Sequence, residues 1–327
     1  MVRRRLVTIP RSVLLFAVVT VLLPLLLAVG AVVDAVRWAV RRAPWMTVRL
    51  VAFGWLYLAV ETVALGRFLL HWVLSGFGRR SDWLVAKAWP VQTFWARTLL
   101  GGVRRLFRLR FAVTGADVIR PGPIVAMFRH ASIVDNLLPV VLLTHDQGIR
   151  LRWIVKRELL AVPGLDVGGT RLPNLFVDRS SADPRTEIRR IRELATGLTP
   201  AEGVLIYPEG TRFTEERRAK AVAALATRDP SMRTRAERLR NVLPPRIGGP
   251  LTLLDAGYDV VVCAHEGLGG FAKIGDVWSG GLVGRTINVT FWRIPAATIP
   301  TGRKERIAWL FEEWERVDAW IGATGAA

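Results

Sequence analysis

Hydrophobic residues form two long runs at the start of the chain and short alternating runs after it. The first long run, residues 13–33, holds 21 consecutive residues without a charge, which is enough to cross about 30 Å of hydrocarbon as a helix. A basic start followed by an apolar run is also typical of a signal peptide. The apolar core of a signal peptide is usually shorter, and no convincing small-residue cleavage motif follows here. The run therefore predicts a retained membrane helix.

The second long run, residues 50–74, is apolar up to Val60 and then carries Glu61, Arg67 and His71. At 100° per residue these three side chains share one face of a helix. Because a charge at the centre of a bilayer is costly, two structures fit the pattern: a spanning helix whose polar face packs on the first helix, and a helix that lies in the interface. Arginines flank the first run on both sides, so the positive-inside rule leaves the orientation open. A hairpin that enters and leaves from one side fits as well.

The remainder of the chain divides into a basic segment and a domain. Residues 83–111 alternate large apolar residues with arginine, which favours amphipathic structure at the membrane surface, although a domain helix with solvated arginines has the same pattern. From there strands and helices alternate, which predicts an α/β domain. We expect an anchor over 1–82, with helices at about 13–33 and 50–74, an interfacial segment over 83–111 and a domain over 112–327. Within the domain the predicted strands are 123–128, 151–156, 174–179, 203–210, 259–267 and 285–294, and the predicted helices are 132–145, 183–197, about 215–241 and 302–322.

Charge and composition decide between classes of partner. The 327 residues carry a net charge of +19, and residues 1–111 alone hold 17 Lys and Arg against three Asp and Glu. A basic surface suits nucleic acid or an anionic membrane. The apolar runs favour the membrane, and the rest of the chain is only +5 without a nucleic-acid motif, so no nucleic-acid partner is expected. The single cysteine, Cys263, excludes a disulfide framework and is predicted to be a core residue rather than a nucleophile.

A histidine and an aspartate follow the first predicted strand of the domain, in the sequence FRHASIVD. On one straight helix His130 and Asp135 would point about 140° apart, so they meet only if His130 lies in the turn before the helix. A carboxylate on one imidazole nitrogen leaves the other nitrogen free as a base. In the alternative, Ser132 and Asp135 form a capping box and His130 is an ordinary turn histidine.

Charged residues also follow the next two predicted strands, in the sequence KRELLAVPG…FVDR. The side chains are those of Lys156, Glu158, Asp178 and Arg179. Taken alone, these are most simply surface charges.

A third group, YPEGTR, follows an apolar strand. Gly210 permits a tight turn and a close approach of the backbone. Thr211 can donate a hydroxyl hydrogen bond, and Arg212 is suited to binding a phosphate through paired N–H donors. Alternatively, Thr211 or Glu209 caps the helix that follows.

In this order and at these separations, the three groups resemble the motifs of the glycerolipid acyltransferases, which include the lysophosphatidic acid acyltransferases. The resemblance covers roughly residues 100–270 and implies a mixed sheet flanked by helices, as in glycerol-3-phosphate acyltransferases. Three positions depart from the family pattern: Arg129 stands where Asn is usual, Ala131 where Gln or Arg is frequent, and Tyr207 where Phe is usual. Since the His, the Asp and the Glu-Gly-Thr-Arg are intact, these departures bear on acceptor choice more than on chemistry.

The resemblance assigns roles to the residues. It implies that His130 removes the proton from the sn-2 hydroxyl of a lysophospholipid, which attacks an acyl thioester directly, and that Asp135 orients His130. Backbone N–H groups at the start of the helix after His130 are candidates for stabilising the developing oxyanion. The resemblance further implies a set of substrate-binding residues for the glycerophosphate: Glu209, Gly210, Thr211, Arg212, Arg179 and Lys156. No metal and no cofactor is expected beyond the thioester co-substrate.

The implied partners are a lysophospholipid acceptor, foremost lysophosphatidic acid, an acyl-CoA or acyl carrier protein donor, and an anionic membrane. Because the donor is cytosolic, the catalytic domain is expected to face the cytoplasm. Two alternatives stay open at this point. One is an acyltransferase or transacylase for another lysolipid, such as lysocardiolipin, lysophosphatidylinositol or a glycolipid. The other is a catalytically silent, membrane-anchored binding protein.

Overall fold

The computed structural model describes residues 2–178, 184–228, 230–269, 271 and 274–325. The helices are α1 Val2–Arg41, α2 Thr47–Leu74, α3 Ser81–Leu106, α4 Pro163–Gly169, α5 Pro184–Leu194, α6 Glu215–Arg228, α7 Pro230–Arg238, α8 Gly248–Leu254, α9 Ile274–Val277 and α10 Arg303–Gly325. The strands are β1 Arg110–Thr114, β2 Ile124–Phe128, β3 Arg150–Lys156, β4 Leu175–Val177, β5 Glu202–Ile206, β6 Asp259–Glu266 and β7 Thr286–Ile294.

The chain forms two compact units. The first unit consists of Met1–Arg110, Val155–Ser180 and Val277–Arg285. The second consists of Phe111–Ile154, Ser181–Asp276 and Thr286–Ala327.

The first unit is built on an antiparallel pair of long helices, α1 and α2. Both are long and apolar enough to cross a membrane. Trp55 of α2 donates a hydrogen bond from its indole to the Thr20 hydroxyl of α1. At the other end of the pair, the buried carboxylate of Asp34 accepts the backbone N–H groups of Thr47 and Val48. These N–H groups have no partner within α2 itself, so a residue of α1 caps the start of α2.

The polar face of α2 packs on α3. The indole of Trp95 on α3 donates to the Glu61 carboxylate at 2.9 Å, and the Arg67 guanidinium lies over the Phe94 ring at 3.9 Å from its centroid. His71 meets another ring of α3 edge to face. Of the two arrangements open from the sequence, the one in which this face packs on the first helix is therefore not found. The face packs on α3 because α3 is amphipathic and offers the aromatic rings and the indole donor that these polar groups require.

The second unit contains a mixed sheet, in which strands follow one another in the order β1-β7-β6-β2-β5-β3. β2 is parallel to both β5 and β6, β3 is parallel to β5, and β7 is antiparallel to β6. All five residues of β2 are buried, as a central parallel strand with both faces covered requires. The predicted α/β class, a mixed sheet flanked by helices with an apolar helical segment at the N-terminus, is confirmed.

One predicted helix differs from the expected one. Instead of one regular helix over 132–145, the chain forms a 3₁₀ turn, Val134–Leu137, followed by a π-helical stretch, Pro139–His145. Pro139 has no N–H to donate into an α-helical ladder, so a regular helix does not continue through it. The helix expected over about 215–241 is found as α6 and α7, on either side of residue 229, which lies outside the described residues.

Candidate active site

The polar residues of the second unit meet where three parallel strands end. Met127 of β2 is in register with Ile206 of β5, and Phe128 is in register with Cys263 of β6. Parallel strands end at the same edge of a sheet, so the segments that leave β2, β5 and β6 emerge side by side. This is the location of His130, of the Tyr-Pro-Glu-Gly-Thr-Arg sequence and of His265.

His130 and Asp135 form a hydrogen-bonded pair, as predicted. His130 Nδ1 lies 3.0 Å from Asp135 Oδ1. The Asp135 side chain is fully buried, whereas that of His130 is 15% exposed. Burial alone would raise the pKa of Asp135, but the neighbouring His130 and the hydrogen bonds to the carboxylate lower it overall. Asp135 is therefore ionised and holds a proton on Nδ1, which leaves the lone pair on Nε2.

The second oxygen of Asp135 caps the turn. Oδ2 accepts the backbone N–H groups of Ala131 at 2.6 Å and of Ser132 at 2.7 Å. One oxygen of Asp135 therefore contacts His130 and the other makes a capping contact with Ser132, so both contacts considered from the sequence are present. Because the N–H groups of Ala131 and Ser132 both donate to Asp135, they are not available to an oxyanion; stabilisation of an oxyanion by N–H groups at the helix start after His130 stays a prediction.

Glu209 fastens the β5 end to the β2 end. Its Oε1 accepts the backbone N–H of His130 at 2.7 Å, and its Oε2 accepts that of Leu243 at 2.9 Å. In addition, the N–H of Phe213 donates to the His130 carbonyl at 2.7 Å. Burial raises the pKa of Glu209 to about 8. Both of its oxygens serve the backbone around His130, while a direct contact of Glu209 with substrate stays a prediction.

Gly210 forms a tight turn beside this network, called the Gly210 turn below. Its φ of +69° is left-handed, and a Cβ there would lie 2.6 Å from the Nε of Arg246. The backbone N–H of Arg246 in turn donates to the Pro208 carbonyl. Arg246 was not among the predicted site residues, although it belongs to the Val-Leu-Pro-Pro-Arg sequence shortly after α7. The exposed side chain of Arg246 lies against Gly210. Thr211 and Arg212, which follow Gly210 in the chain, are half-buried.

Arg129 and His265 form a buried network behind the histidine. The guanidinium of Arg129 donates to the backbone carbonyls of His265 at 2.6 Å and Asn241 at 2.9 Å. His265 Nε2 lies 3.1 Å from the Arg129 carbonyl. Burial lowers the pKa of His265 to about 4, so this histidine is neutral. Arg129, one of the three departures from the family pattern, therefore ties the ends of β2 and β6 to the segment after α7.

One aromatic ring packs on His130. The ring of Tyr207 stacks on His130 with centroids 4.4 Å apart. Cys263 is buried within β6, and burial raises the pKa of its thiol, which confirms it as a core residue.

Lys156 lies at the end of β3 in the first unit and pairs with Glu158 at 2.8 Å. Arg179 falls outside the described residues, so both cations stay predictions as substrate ligands.

The sequence of this chain is similar to those of known proteins. Residues 110–246 match the family model described as Acyltransferase. Lysocardiolipin acyltransferase 1 of Mus musculus is 24% identical over 241 residues, which are 68% of this chain and 59% of that protein. The Gallus gallus protein of the same name is 22% identical over 231 residues, with the same coverage of 68% and 59%. The chain thus spans about three-fifths of the length of these relatives.

A solved structure supports the fold. The crystal structure of the 1-acyl-sn-glycerophosphate acyltransferase PlsC from Thermotoga maritima superposes with a TM-score of 0.51 at 17% identity. The superposition covers 85% of this chain and 98% of that one.

Proposed function

We propose that this chain, which matches the Acyltransferase family model over residues 110–246 and is similar to lysocardiolipin acyltransferases, moves a fatty acyl chain from a thioester to the sn-2 hydroxyl of lysophosphatidic acid, making phosphatidic acid. The observation that carries this proposal is the His130–Asp135 pair beside the Gly210 turn, against which the Arg246 side chain packs. The pair supplies a base, and the turn brings an arginine close to it as a cation for a phosphate.

The proton path follows from the hydrogen bonds of His130. With a proton on Nδ1 held by Asp135, Nε2 removes the proton of the acceptor hydroxyl as its oxygen attacks the thioester carbonyl. The tetrahedral intermediate then collapses, the C–S bond breaks, and the proton on Nε2 passes to the leaving thiolate. An alcohol and a thioester become an ester and a thiol, so no acyl-enzyme is required. General-base catalysis of this kind contributes a factor of about 10²–10⁴ in rate.

The acceptor phosphate is assigned to the turn after β5. Gly210 lets the Arg246 side chain pack directly on the backbone of this turn, since the glycine has no side chain of its own. The Arg246 guanidinium crosses the same turn, and Arg212 follows it in the chain. Arginine binds phosphate through paired N–H donors, which favours a phosphomonoester lipid over an uncharged one.

Lysocardiolipin is the second candidate acceptor. It is supported by the two curated relatives described above, each of which is named a lysocardiolipin acyltransferase. The chemistry of the acceptor hydroxyl and of His130 is the same for both lipids. Only the phosphate presented to the Gly210 turn differs, being a monoester in one lipid and a diester in the other.

Membrane association is assigned to α1 and α2, lying in one leaflet. At the start of α1, Arg4 donates to the buried Asp166 of α4 in a bidentate pair at 2.8 Å. At its other end, Arg37 donates to the Trp278 carbonyl at 3.1 Å. Among the described residues, no helix after α2 is long and apolar enough to cross, so residues 166 and 278 lie on one side of the bilayer. Both ends of α1 therefore share that side, which is the cytoplasmic side if the donor is a cytosolic thioester.

The test is acyl transfer by membranes that contain the full chain. Labelled acyl-CoA and acyl carrier protein are offered with lysophosphatidic acid, lysocardiolipin and neutral lysolipids, and products are identified by mass. Phosphatidic acid as the main product supports the proposal. A cardiolipin product alone replaces the acceptor and retains the chemistry. Acylation of neutral lysolipids at equal rates contradicts the role given to the Gly210 turn.

A further inference from the structure

The positive charge of the domain is concentrated in one stretch. Residues 212–246 carry ten Lys and Arg against four Asp and Glu, whereas the other residues of 112–327 carry nineteen against twenty. This stretch contains α6 and α7, which directly follow the Gly210 turn. The excess charge is therefore localised beside the site, not spread over the surface. The mechanism above uses only its two ends, Arg212 and Arg246.

A groove of about 580 Å³ is lined by residues of α6 and α7 and by the segment that follows them. Its apolar lining comes from Ala219, Val222 and Ala223, and Arg218 and Arg240 are among its basic residues. The volume lies within the range of small-molecule sites, which is roughly 300–1,000 Å³. An apolar floor between arginines suits a ligand that combines a flat ring with phosphates.

The arginines of the groove are held in place to different degrees. Arg218 is fixed by Glu215 at 2.6 Å and by the Leu239 carbonyl at 3.0 Å. Arg233 pairs with Glu237. Arg240, in contrast, is exposed, its backbone N–H donates to Asp318, and its guanidinium interacts with Glu215 only through longer-range electrostatics. Within the described residues, it is the one of the three whose guanidinium forms no hydrogen bond or ion pair.

Both sides of the groove continue along the chain into residues that contact His130 or its neighbours. Phe213, whose N–H donates to the His130 carbonyl, stands two residues before α6. Val222 lies seven residues after Glu215, the first residue of α6, which is about 10 Å along the helix at 1.5 Å per residue. On the other wall, Leu239 precedes Asn241 and Leu243, whose backbones contact Arg129 and Glu209. A ligand in this groove can thus extend a flexible arm to His130.

We propose that the α6–α7 groove binds the 3′-phosphorylated ADP head group of acyl-CoA, with the adenine on the apolar floor and the phosphates on the arginines. The inference rests on the proposed function, in which the donor is a thioester, and it selects CoA as the carrier of that thioester. The pantetheine arm then spans the distance to His130. A carrier protein offers no adenine for a concave apolar floor, and its docking would need a surface of about 800 Å².

The experiment measures the binding of free CoA to the full chain in nanodiscs, with Arg240→Gln as the test variant. Arg303→Gln is the matched control, because Arg303 is an exposed arginine of α10 away from the groove lining. We expect Arg240→Gln to weaken CoA binding about tenfold, as loss of one charge-assisted hydrogen bond does. We expect Arg303→Gln to bind CoA as the wild type does. With 3′-dephospho-CoA, which has one phosphate fewer, the wild type should bind less tightly and the effect of Arg240→Gln should shrink.

The outcomes separate this inference from the function on which it rests. Equal CoA affinity in the wild type and Arg240→Gln overturns the groove, and so does an equal loss in both variants, which would indicate diffuse charge. Acyl transfer from carrier protein without any CoA binding also overturns it, while leaving the acyltransferase intact. Arg240-dependent CoA binding supports the groove even if no acyl transfer is detected, in which case only the proposed function fails.

Discussion

Replacing Asp135 by asparagine separates the two tasks that the structure gives to this carboxylate. Oδ1 contacts His130 Nδ1, and Oδ2 accepts two backbone N–H groups. In Asp135→Asn the carbonyl oxygen can keep the two backbone donors, and the amide nitrogen then faces His130. An amide N–H donates to Nδ1, so the imidazole proton moves to Nε2 and the lone pair needed for the reaction is lost. We expect the turnover rate to fall by a factor of about 10²–10⁴.

Asp135→Ala provides the comparison for stability. It leaves the N–H groups of Ala131 and Ser132 without their acceptor, and each buried unpaired donor costs about 1–3 kcal/mol. The alanine variant is therefore expected to lose about 2–6 kcal/mol of unfolding free energy, and the asparagine variant much less.

Two measurements check the prediction: initial rates of acyl transfer at saturating substrates, and thermal unfolding of the same preparations. An asparagine variant that retains a third or more of the wild-type rate would refute the orienting role of Asp135. An asparagine variant as unstable as the alanine variant would show that the loss of rate is structural.

Three further predictions concern the residues around the pair. Burial places the pKa of Glu209 in the folded protein above its pKa in the unfolded chain, so the stability that Glu209 contributes is lost as the pH rises from about 5 to 8. The unfolding free energy of the wild type should therefore fall over that range relative to that of Glu209→Gln, as measured by chemical denaturation at several pH values. Gly210→Ala should cost more stability and activity than Gly148→Ala, because both have positive φ but only Gly210 has a side chain in the way; equal losses would exclude the Arg246 contact. Tyr207→Phe keeps the ring stacked on His130 and removes a buried hydroxyl that has no partner among the described residues. The unfolding free energy should therefore rise by up to about 1 kcal/mol while the rate of acyl transfer stays unchanged. A large loss of that rate would show that the hydroxyl acts in the reaction.

The sequence predicted the structure well where a pattern of residues is compatible with few arrangements. Strand–helix alternation predicted the α/β class, and His130 and Asp135 were predicted to meet only with the histidine in the turn, where it is found. The buried roles were harder to predict. Glu209 was expected to bind substrate, yet both of its oxygens accept backbone N–H groups, one of them from Leu243, 34 residues away. Such a contact depends on which strands are neighbours, and spacing along the chain does not reveal that.

The membrane segments illustrate the same limit. Length and charge predicted two apolar helices and allowed either a spanning or an interfacial arrangement. The partner of the polar face of α2 could not be read from periodicity, because α1 and α3 are both adjacent in sequence and both long. The indole of Trp95 and the ring of Phe94 determined the outcome. Likewise, Arg246 lies more than thirty residues from the Gly210 turn and is brought to it by the fold.

The most direct test of the account is acyl transfer by His130→Gln, compared with the wild type and with His145→Gln. His145 also pairs with a neighbouring aspartate, Asp146, at 2.6 Å, but on the surface. It is therefore a matched control for loss of one histidine–aspartate pair. We predict that His130→Gln loses at least a factor of about 10² in the rate of lysophospholipid acylation, whereas His145→Gln and the wild type transfer acyl chains equally well. Equal rates in all three proteins would contradict His130 as the base.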